Sequence, residues 1–168
     1  LYLETPIAFH VRGYSYAYYS DGSIAYIKPK YIFSETEYPV KLKEFQAAAN
    51  KLLSGVKGND NLSDLEKLLI LHDRLAVWPE YDVDFSTGEQ MYTAYGILVA
   101  REGVCMGYAL AYDYLLEQVG IENHFCNSAA HDHAWNTVKL NEEWYHVDVT
   151  WDDPTYDKTG RVTHDNFL

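Results

Sequence analysis

Gly103-Val104-Cys105-Met106-Gly107-Tyr108 is the stretch that decides how this chain is organised. A cysteine stands here where a loop becomes a helix, because apolar residues follow it at helical spacing over residues 109–119. The first N–H groups of a helix have no partner within it, and the helix dipole is positive there. Both effects favour a thiolate at Cys105. The flanking glycines are expected to let a substrate backbone come close. A buried structural cysteine is the alternative, since cysteine is among the most buried residue types.

A histidine and an aspartate further along the chain supply the partners that a cysteine nucleophile needs. Strands are predicted over residues 123–128, 133–140 and 144–151; His133 opens the second of them and Asp148 lies inside the third. Because Asn141-Glu142 forms the turn between the second and third strands, folding them together brings His133 near Asp148. An imidazole accepts and returns the cysteine proton, and a buried carboxylate fixes the imidazole tautomer. An aspartate inside an apolar strand is costly without such a partner.

Three motifs in this order resemble those of the transglutaminase-like superfamily, and in particular its bacterial members. The motifs are Gly103-Val104-Cys105-x-Gly107-Tyr108, His133-Ala134-Trp135-Asn136 and WYHVDVTWDDP at residues 144–154. An upstream helix and loop, with Leu71-His72-Asp73-x-Leu75 followed by Tyr81-Asp82, are also similar to that family. The resemblance covers residues 63–154 approximately. It implies a papain-like fold, in which the helix bearing Cys105 packs on an antiparallel sheet, and a catalytic triad of Cys105, His133 and Asp148.

The function that this resemblance implies is cysteine-dependent acyl transfer. Cys105 would attack a peptide or carboxamide carbonyl and form a thioester acyl-enzyme. Either water or an amine would then accept the acyl group, which leaves protease, amidase and transamidase open. The implied substrate is a peptide, protein or cell-wall amide, and no cofactor is expected. The alternative is a catalytically inactive binding or scaffold domain of a cell-surface protein. Retention of the cysteine, histidine and aspartate argues against it.

The predicted fold class is α+β, with residues 63–168 as the catalytic core and residues 1–62 as an N-terminal extension, or with both as one continuous domain. Asp21-Gly22, between runs rich in tyrosine and isoleucine, predicts a β-hairpin at the N-terminus. Tyr14, Tyr16 and Tyr18 alternate along its first strand and are expected to share one face. Aromatic pairing between strands is favoured there over a carbohydrate or peptide platform.

Helical periodicity recurs in the middle of the chain. It predicts one helix within residues 39–56 and a second that begins at a capping box, Ser63-x-x-Glu66, and ends before Pro79. In this second helix His72 is expected to be a hydrogen-bonded core histidine, with Asp73 paired to Arg74 or to a loop. Residues 82–90 are expected to form a polar loop, and residues 93–101 a short helix.

The oxyanion that forms during acyl transfer needs hydrogen-bond donors. The backbone N–H of Cys105 is the natural first donor, because it lies at a helix start. Papain-type enzymes place a glutamine shortly before the cysteine, but residues 96–100 contain none. The candidates for a second donor or for the cleft wall are therefore aromatic: Tyr81, Trp78, Tyr108 and Trp135.

Metal binding is not expected at this site. His131 and His146 could join His133 and Cys105 around a zinc ion, but short ligand spacings arise by chance and the Asp148 partner explains more. Cys126 is expected to be an inert strand cysteine, without a disulfide to Cys105. Two cysteines do not make a disulfide framework.

Composition excludes several classes of function. The 168 residues carry a formal net charge of −12, so the basic footprint of a nucleic-acid-binding protein is missing. The same acidity disfavours anionic membrane surfaces, and no apolar run is long enough for membrane insertion. The chain opens without methionine and closes on Asn166-Phe167-Leu168, which suggests a piece of a longer protein. The family resemblance implies an extracellular or cell-surface location.

Overall fold

The computed structural model describes residues 5–154 and 162–166, so the predictions about the two chain ends fall largely outside the described residues. The chain mixes helices with small sheets. In chain order the elements are β1 (Val11–Tyr18), β2 (Ile24–Tyr31), α1 (Tyr38–Leu53), α2 (Asp64–Ala76), β3 (Glu80–Tyr81), β4 (Glu102–Gly103), α3 (Cys105–Gln118), β5 (Asn123–Ser128), β6 (His133–Leu140) and β7 (Glu143–Val147).

Helix α3 lies at the centre of the hydrophobic core. Tyr108, Tyr112, Leu115 and Leu116 are fully buried along it. The helix packs against β5 and β6 on one side and against α2 on another. The Tyr112 hydroxyl donates a hydrogen bond of 3.0 Å to the Leu68 carbonyl of α2, so even the polar tip of this buried ring is satisfied. This packing holds the start of α3, and with it Cys105, on a rigid element.

The sheet that faces α3 is antiparallel, in the order β5-β6-β7. Strands β5 and β6 have the bounds that the sequence predicts. Asn141 and Glu142 both adopt left-handed backbone angles, with φ of 52° and 68°, which matches a two-residue hairpin turn. The Asn136 amide donates a hydrogen bond of 3.0 Å to the Ala109 carbonyl and so ties the middle of β6 to α3.

The short helix expected over residues 93–101 is present at residues 94–100, but most of it is not α-helical. Residues Gly96–Ala100 form a single π-helical turn, closed by the Arg101 N–H on the Gly96 carbonyl. The polar segment before it ends in a 3-10 turn at Gly88–Tyr92. The chain then pairs in parallel with β3 through the two residues of β4. Residues 88–104 therefore form a short, hydrogen-bonded connection that ends directly before α3 and Cys105.

Helix α2 begins as the sequence predicts. The Ser63 side chain accepts a hydrogen bond from the Glu66 N–H, and the Glu66 carboxylate accepts from the Ser63 N–H, which completes the capping box. Buried residues of α1, among them Phe45 and Leu52, belong to the same core cluster as α2 and α3. The division at residue 62 stays a prediction.

The described helices are all too short or too polar to span a lipid bilayer.

Candidate active site

Cys105 is the first residue of α3, as the sequence predicts, and Val104 before it is extended. In the first helical turn the Gly107 N–H donates to the Val104 carbonyl at 2.8 Å, whereas the N–H groups of Cys105 and Met106 come before the first intrahelical acceptor. Two backbone hydrogen bonds fix the approach to this position. Asp82 donates its N–H to the Gly103 carbonyl at 2.9 Å, and Val104 donates to the Met91 carbonyl at 3.1 Å. The thiol is therefore held at a defined point beside unpaired donors.

The glycines on either side of Cys105 serve packing, which corrects the expectation that they open space for a substrate. Both are buried. A methyl group at Gly107 would lie 2.7 Å from the Met91 carbonyl oxygen, and one at Gly103 would lie 2.6 Å from the same atom. Contacts this close are not found between real side chains and backbone. The two glycines thus let α3 press against the loop that carries Met91.

His133, the first residue of β6, is joined to Asp148. The imidazole Nε2 lies 2.5 Å from the Asp148 Oδ2, and the two side chains are 11% and 9% exposed. His133 also interacts with the Cys105 side chain. Because Nε2 faces the carboxylate, Nδ1 is the ring nitrogen left to face the thiol. The structure therefore brings all three predicted residues together, with the imidazole between the sulfur and the carboxylate.

Asp148 lies just past the end of its strand, which corrects the predicted strand over residues 144–151. Strand β7 ends at Val147. The Asp148 Oδ1 accepts hydrogen bonds from the N–H groups of Thr150 and Trp151, at 3.1 and 3.2 Å. An aspartate that bonds to the backbone two or three residues ahead forms a turn in place of a strand ladder. One carboxylate oxygen is thus held by the turn and the other by His133.

The charge state of His133 follows from these neighbours. Burial alone lowers the pKa of an imidazole, but hydrogen bonds and charge interactions with Asp148 and Cys105 oppose it and raise the pKa of His133 to about 9. The imidazolium form therefore dominates at neutral pH. A charged imidazole beside a thiol is the arrangement that stabilises a thiolate.

Two tryptophan rings lie against the imidazole. Trp151 stacks on His133 with ring centroids 4.7 Å apart and an interplanar angle of 12°. Trp135 lies further away, at 6.1 Å and 16°. A cation over an aromatic face is attracted by the ring quadrupole, so both rings favour the imidazolium. They also hold the imidazole plane in one orientation.

Space for a ligand exists on two sides of His133. A cavity of about 210 Å³ opens over the thiol. Its lining residues are Tyr92, Val104, Cys105, Met106, Asn127, Ser128, Ala129, Asp132, His133 and Ala134. A second cavity of about 310 Å³ lies on the tryptophan side, lined by His131, His133, Trp135, His146, Asp148, Trp151 and Asn166. His133 lines both cavities, whereas Cys105 lines the first of them.

Three of the four predicted candidates for the oxyanion donor or cleft wall already donate their hydrogen atoms to other groups. Trp78 donates its indole N–H to the Leu98 carbonyl at 2.9 Å, and Trp135 donates to the His146 Nδ1 at 2.7 Å. The Tyr108 hydroxyl is fully buried and donates to the Asp153 carboxylate at 2.6 Å.

Burial, reinforced by the Asp153 charge, raises the pKa of Tyr108 well above its usual range. For Trp78, Trp135 and Tyr108, an oxyanion role would require breaking an existing hydrogen bond. Tyr81 is partly buried, with its ring 6.3 Å from that of Tyr108.

Sequence reasoning missed several residues of the cleft. Tyr92, Asn127 and Ser128 line the cavity over the thiol, and Trp151 covers the imidazole. Asn127 and Ser128 end the strand that pairs with the start of β6, since Ser128 lies opposite His133. The register of the predicted strands contained this signal, because the end of β5 must lie beside the residue that opens β6.

The loop before the site is held by Asp82. Its carboxylate accepts hydrogen bonds from the hydroxyl and N–H of Thr87 and from the N–H of Ser86. The Thr87 hydroxyl, together with these N–H groups, lowers the pKa of Asp82 to about 2. These hydrogen bonds join the two ends of the loop over residues 82–87. The Asp82 N–H also donates to the Gly103 carbonyl, which links this loop to the segment before Cys105.

Both cysteines are free, as predicted. The ligand atoms that could hold a metal ion do not converge at the thiol. Within residues 5–154 and 162–166, the grouping that could do so is His72, Asp73 and His164, on the far end of α2. The ligand atoms of His131, His146, His133 and Cys105, the candidate zinc set, do not lie close enough together to form a grouping of this kind.

Comparisons with known proteins agree with the fold. Residues 46–149, more than half of the chain, match the family model of the transglutaminase-like superfamily. Among solved structures, the crystal structure of a TGase is similar with a TM-score of 0.51 at 11% sequence identity. The similarity covers 71% of this chain and 34% of that chain, so this chain spans about a third of its length. No curated protein sequence matches.

Proposed function

Since the chain belongs to the transglutaminase-like superfamily, we propose that it is a cysteine acyl-transfer enzyme with Cys105, His133 and Asp148 as its catalytic triad. The observation that carries this proposal is the His133 imidazole, held between the Cys105 thiol and the Asp148 carboxylate at a helix N-terminus. A core histidine needs only one satisfied partner. Here the ring has a buried carboxylate on one nitrogen and a nucleophile on the side facing a cavity.

The first half of the reaction uses these groups in turn. The Cys105 sulfur attacks the carbonyl carbon of a carboxamide or peptide, and the carbonyl π electrons move to oxygen. The tetrahedral intermediate collapses to a thioester when the C–N bond breaks. The imidazolium gives its proton to the leaving nitrogen, and ammonia or an amine departs. Asp148 keeps the ring oriented and stabilises its positive charge before the transfer.

The second half reverses these steps with a new acceptor. Neutral His133 takes a proton from water or from a primary amine, whose lone pair attacks the thioester. The C–S bond breaks, and the sulfur leaves as thiolate paired again with the imidazolium. Water yields a carboxylic acid, and an amine yields a new amide. Both outcomes share the first half-reaction, so one capture experiment tests them together.

Stabilisation of the oxyanion is assigned to the backbone N–H of Cys105. It lies at the start of α3, where the helix leaves donors without acceptors. Tyr92 lines the cavity over the thiol and is a further candidate donor. The formal net charge of −12 would weakly favour basic peptides or amines as they approach.

The papain-like arrangement, a helix carrying the nucleophile against a sheet carrying the base, belongs to the same proposal. The proposal also includes the domain division, with residues 63–168 as the catalytic core and residues 1–62 as an N-terminal extension. The resemblance to bacterial surface proteins supports an extracellular or cell-surface location, with peptide, protein or cell-wall amides as substrates.

The test is capture of the acyl-enzyme. A Cys126→Ser variant leaves Cys105 as the single thiol, and Cys105→Ala in a matched preparation serves as the negative control. Both are exposed to a library of peptide carboxamides and cell-wall amides, then analysed as intact masses. We expect an adduct on Cys105 with loss of ammonia or an amine.

Iodoacetamide labelling separates an enzyme from an inactive scaffold. In the same variant Cys105 should react readily below pH 7, whereas an ordinary thiol ionises near pH 8.5. A labelling profile that rises only near that higher value, with no acyl adduct from any amide, would leave the scaffold alternative and overturn the proposal.

A further inference from the structure

A second cluster of histidine and aspartate side chains lies away from the thiol. His72 and Asp73 come from α2, and His164 comes from the C-terminal segment. One ligand atom of each lies within 4.8 Å of the other two. The Asp73 Oδ1 is at the centre, 3.0 Å from the His72 Nδ1 and 2.7 Å from the His164 Nε2. Around a tetrahedral ion with metal–ligand bonds near 2.0–2.2 Å, the ligand atoms lie about 3.3–3.6 Å apart. The half-exposed side chains of Asp73 and His164 would have to move apart by less than about 1 Å to admit such an ion.

The neighbours of the buried His72 ring bear on whether a cation can bind beside it. The ring is fully buried, and its Nε2 lies 3.2 Å from the Asp152 Oδ2 while its Nδ1 faces the Asp73 Oδ1. Both neighbours are carboxylate oxygens, which only accept, and a neutral imidazole has one N–H to give. A neutral imidazole therefore donates to one of these carboxylates and presents the lone pair of its other nitrogen to the opposite side.

Asp152 determines which ring nitrogen of His72 donates. Its carboxylate is fully buried, and its other oxygen, Oδ1, accepts hydrogen bonds from the Thr163 hydroxyl and the Asn166 amide, both at 2.8 Å. A carboxylate held in this way is a fixed acceptor for the His72 Nε2–H. The lone pair of Nδ1 then points at Asp73. A carboxylate behind the far nitrogen of a histidine is the usual support for a metal ligand, since it fixes the tautomer and raises the basicity of the ring.

We propose that His72 Nδ1, Asp73 Oδ1 and His164 Nε2 bind a divalent transition-metal ion of the Zn²⁺ class, with Asp152 supporting His72 from behind. Two imidazole nitrogens and one carboxylate oxygen suit such an ion better than Ca²⁺ or Mg²⁺, which take oxygen ligands. Asp73 and His164 are about half exposed, so an ion can enter from solvent and keep water as its fourth ligand.

The ion would fasten the C-terminal segment to α2. That segment also reaches the active site, because the Asn166 carbonyl accepts the Asp148 N–H at 3.1 Å. The Asp152 N–H in turn donates to the Asp148 carbonyl at 3.3 Å. A metal bound behind the triad would therefore stabilise the turn that carries Asp148 without touching the thiol. This role does not depend on Cys105 being a nucleophile.

The experiment is a calorimetric titration with Zn²⁺ alone, in a Cys105→Ala background that removes metal binding by the thiol. We expect one equivalent to bind, and the melting temperature to rise by several degrees at saturating metal. His164→Ala is the decisive variant, because this side chain is half exposed and its loss should leave the fold intact. It should lose at least about tenfold in affinity, and Asp152→Asn about 10–100-fold.

His124→Ala is the matched control. His124 is also exposed, but it lies in the β5–β6–β7 sheet, where it stacks on Trp144. Its affinity for Zn²⁺ should equal that of the parent. Two outcomes would overturn the proposal. One is an absence of Zn²⁺ binding. The other is binding that His164→Ala leaves unchanged.

Discussion

The β1–β2 hairpin and the β5–β6–β7 sheet are both antiparallel and both alternate in sequence, yet they differ in what covers them. In the hairpin, Tyr14, Tyr16 and Tyr18 share a face, and each is more than half exposed. In the sheet, α3 covers one face of β6, and Ala134, Asn136 and Val138 are buried beneath it. Alternation predicts a strand in both places, but it does not say which face meets a helix.

This difference separates the two regions in function as well. Cys105 begins the covering helix, His133 begins the covered strand, and Asp148 follows its neighbour. The candidate site therefore lies where three well-packed elements end together. Side chains held by packing can keep reacting atoms within a fraction of an ångström, which catalysis needs. Substitutions should therefore have larger effects at the centre of the covered sheet than in the exposed hairpin.

Loss of the nucleophile should have the largest effect. Cys105→Ala should reduce acyl-enzyme formation by at least about 10³-fold, because no other group can form the thioester. His133→Ala should be nearly as severe, since both proton transfers go through it. The measurement is the rate of amine release from an amide substrate. Cys126→Ala is the matched control, and equal losses in both cysteine variants would argue against a specific role for Cys105.

Asp148→Asn should be intermediate. Asparagine keeps the shape but loses the charge, and a Ser-His-Asp triad, the worked example for this change, loses about 10⁴ in rate. A cysteine enzyme should lose less, roughly 10–10³-fold, because a thiol is more acidic than a serine hydroxyl and depends less on its base. Activity and melting temperature should be measured on the same variant. A lower melting temperature with unchanged activity of the folded fraction would make Asp148 structural.

Gly107→Ala tests whether packing beneath the cysteine matters. The added methyl would lie 2.7 Å from the Met91 carbonyl and 3.1 Å from the Thr93 carbonyl, and neither backbone group can move freely. We expect a loss of about 1–3 kcal/mol in the free energy of unfolding, as for other overpacked positions. Chemical denaturation gives this value. If stability and activity are both unchanged, α3 does not press on the Met91 loop as closely as described.

The pH dependence should reflect His133. Its pKa is raised from the usual 6.5 to about 9, so the stabilisation from its ion pair is complete below pH 6.5. That stabilisation, and the proton needed by the leaving amine, are lost as pH rises through about 9. Acylation should therefore fall about tenfold per pH unit above that value. Asp148→Asn should move this alkaline limit to lower pH, and an unmoved limit would contradict the assignment.

The elements around the cysteine could be predicted well because local signals agree there. The start of α3, the bounds of β5 and β6 and the turn at Asn141-Glu142 all follow from periodicity and turn chemistry. The end of β7 could not, because the Asp148 carboxylate bonds to the backbone ahead of it and the strand ends at Val147, four residues before the predicted end. That competition depends on where His133 lies in the folded chain, and no local pattern contains it.

Two other differences have tertiary causes. The π-helical turn at Gly96–Ala100 lies where Gly96 packs against the Gln90 carbonyl, and helical periodicity alone predicted an ordinary helix there. Asp73 was expected to pair with Arg74 or a loop. Arg74 was the wrong partner, because it donates to the Leu52 and Ser54 carbonyls. The loop alternative is correct, because Asp73 contacts His164 in the irregular C-terminal segment, as well as its neighbour His72. Contacts between residues more than 90 positions apart leave no trace in a window of sequence.

The smallest effect should come from the hairpin. Tyr16 is 55% exposed and contacts Tyr14 and Tyr18 on its own strand, with ring centroids 6.5 and 5.4 Å away. Tyr16→Ser should change the free energy of unfolding by no more than about 0.5 kcal/mol, as at other exposed positions, and should leave amine release unchanged.

Val138→Ala in β6 is the comparison, because that side chain is fully buried under α3 and its truncation should cost about 1–3 kcal/mol. Both variants are measured by chemical denaturation of the same preparation. Similar losses in the two would mean that the tyrosine face is covered in solution, and the contrast between the two sheets would then not hold.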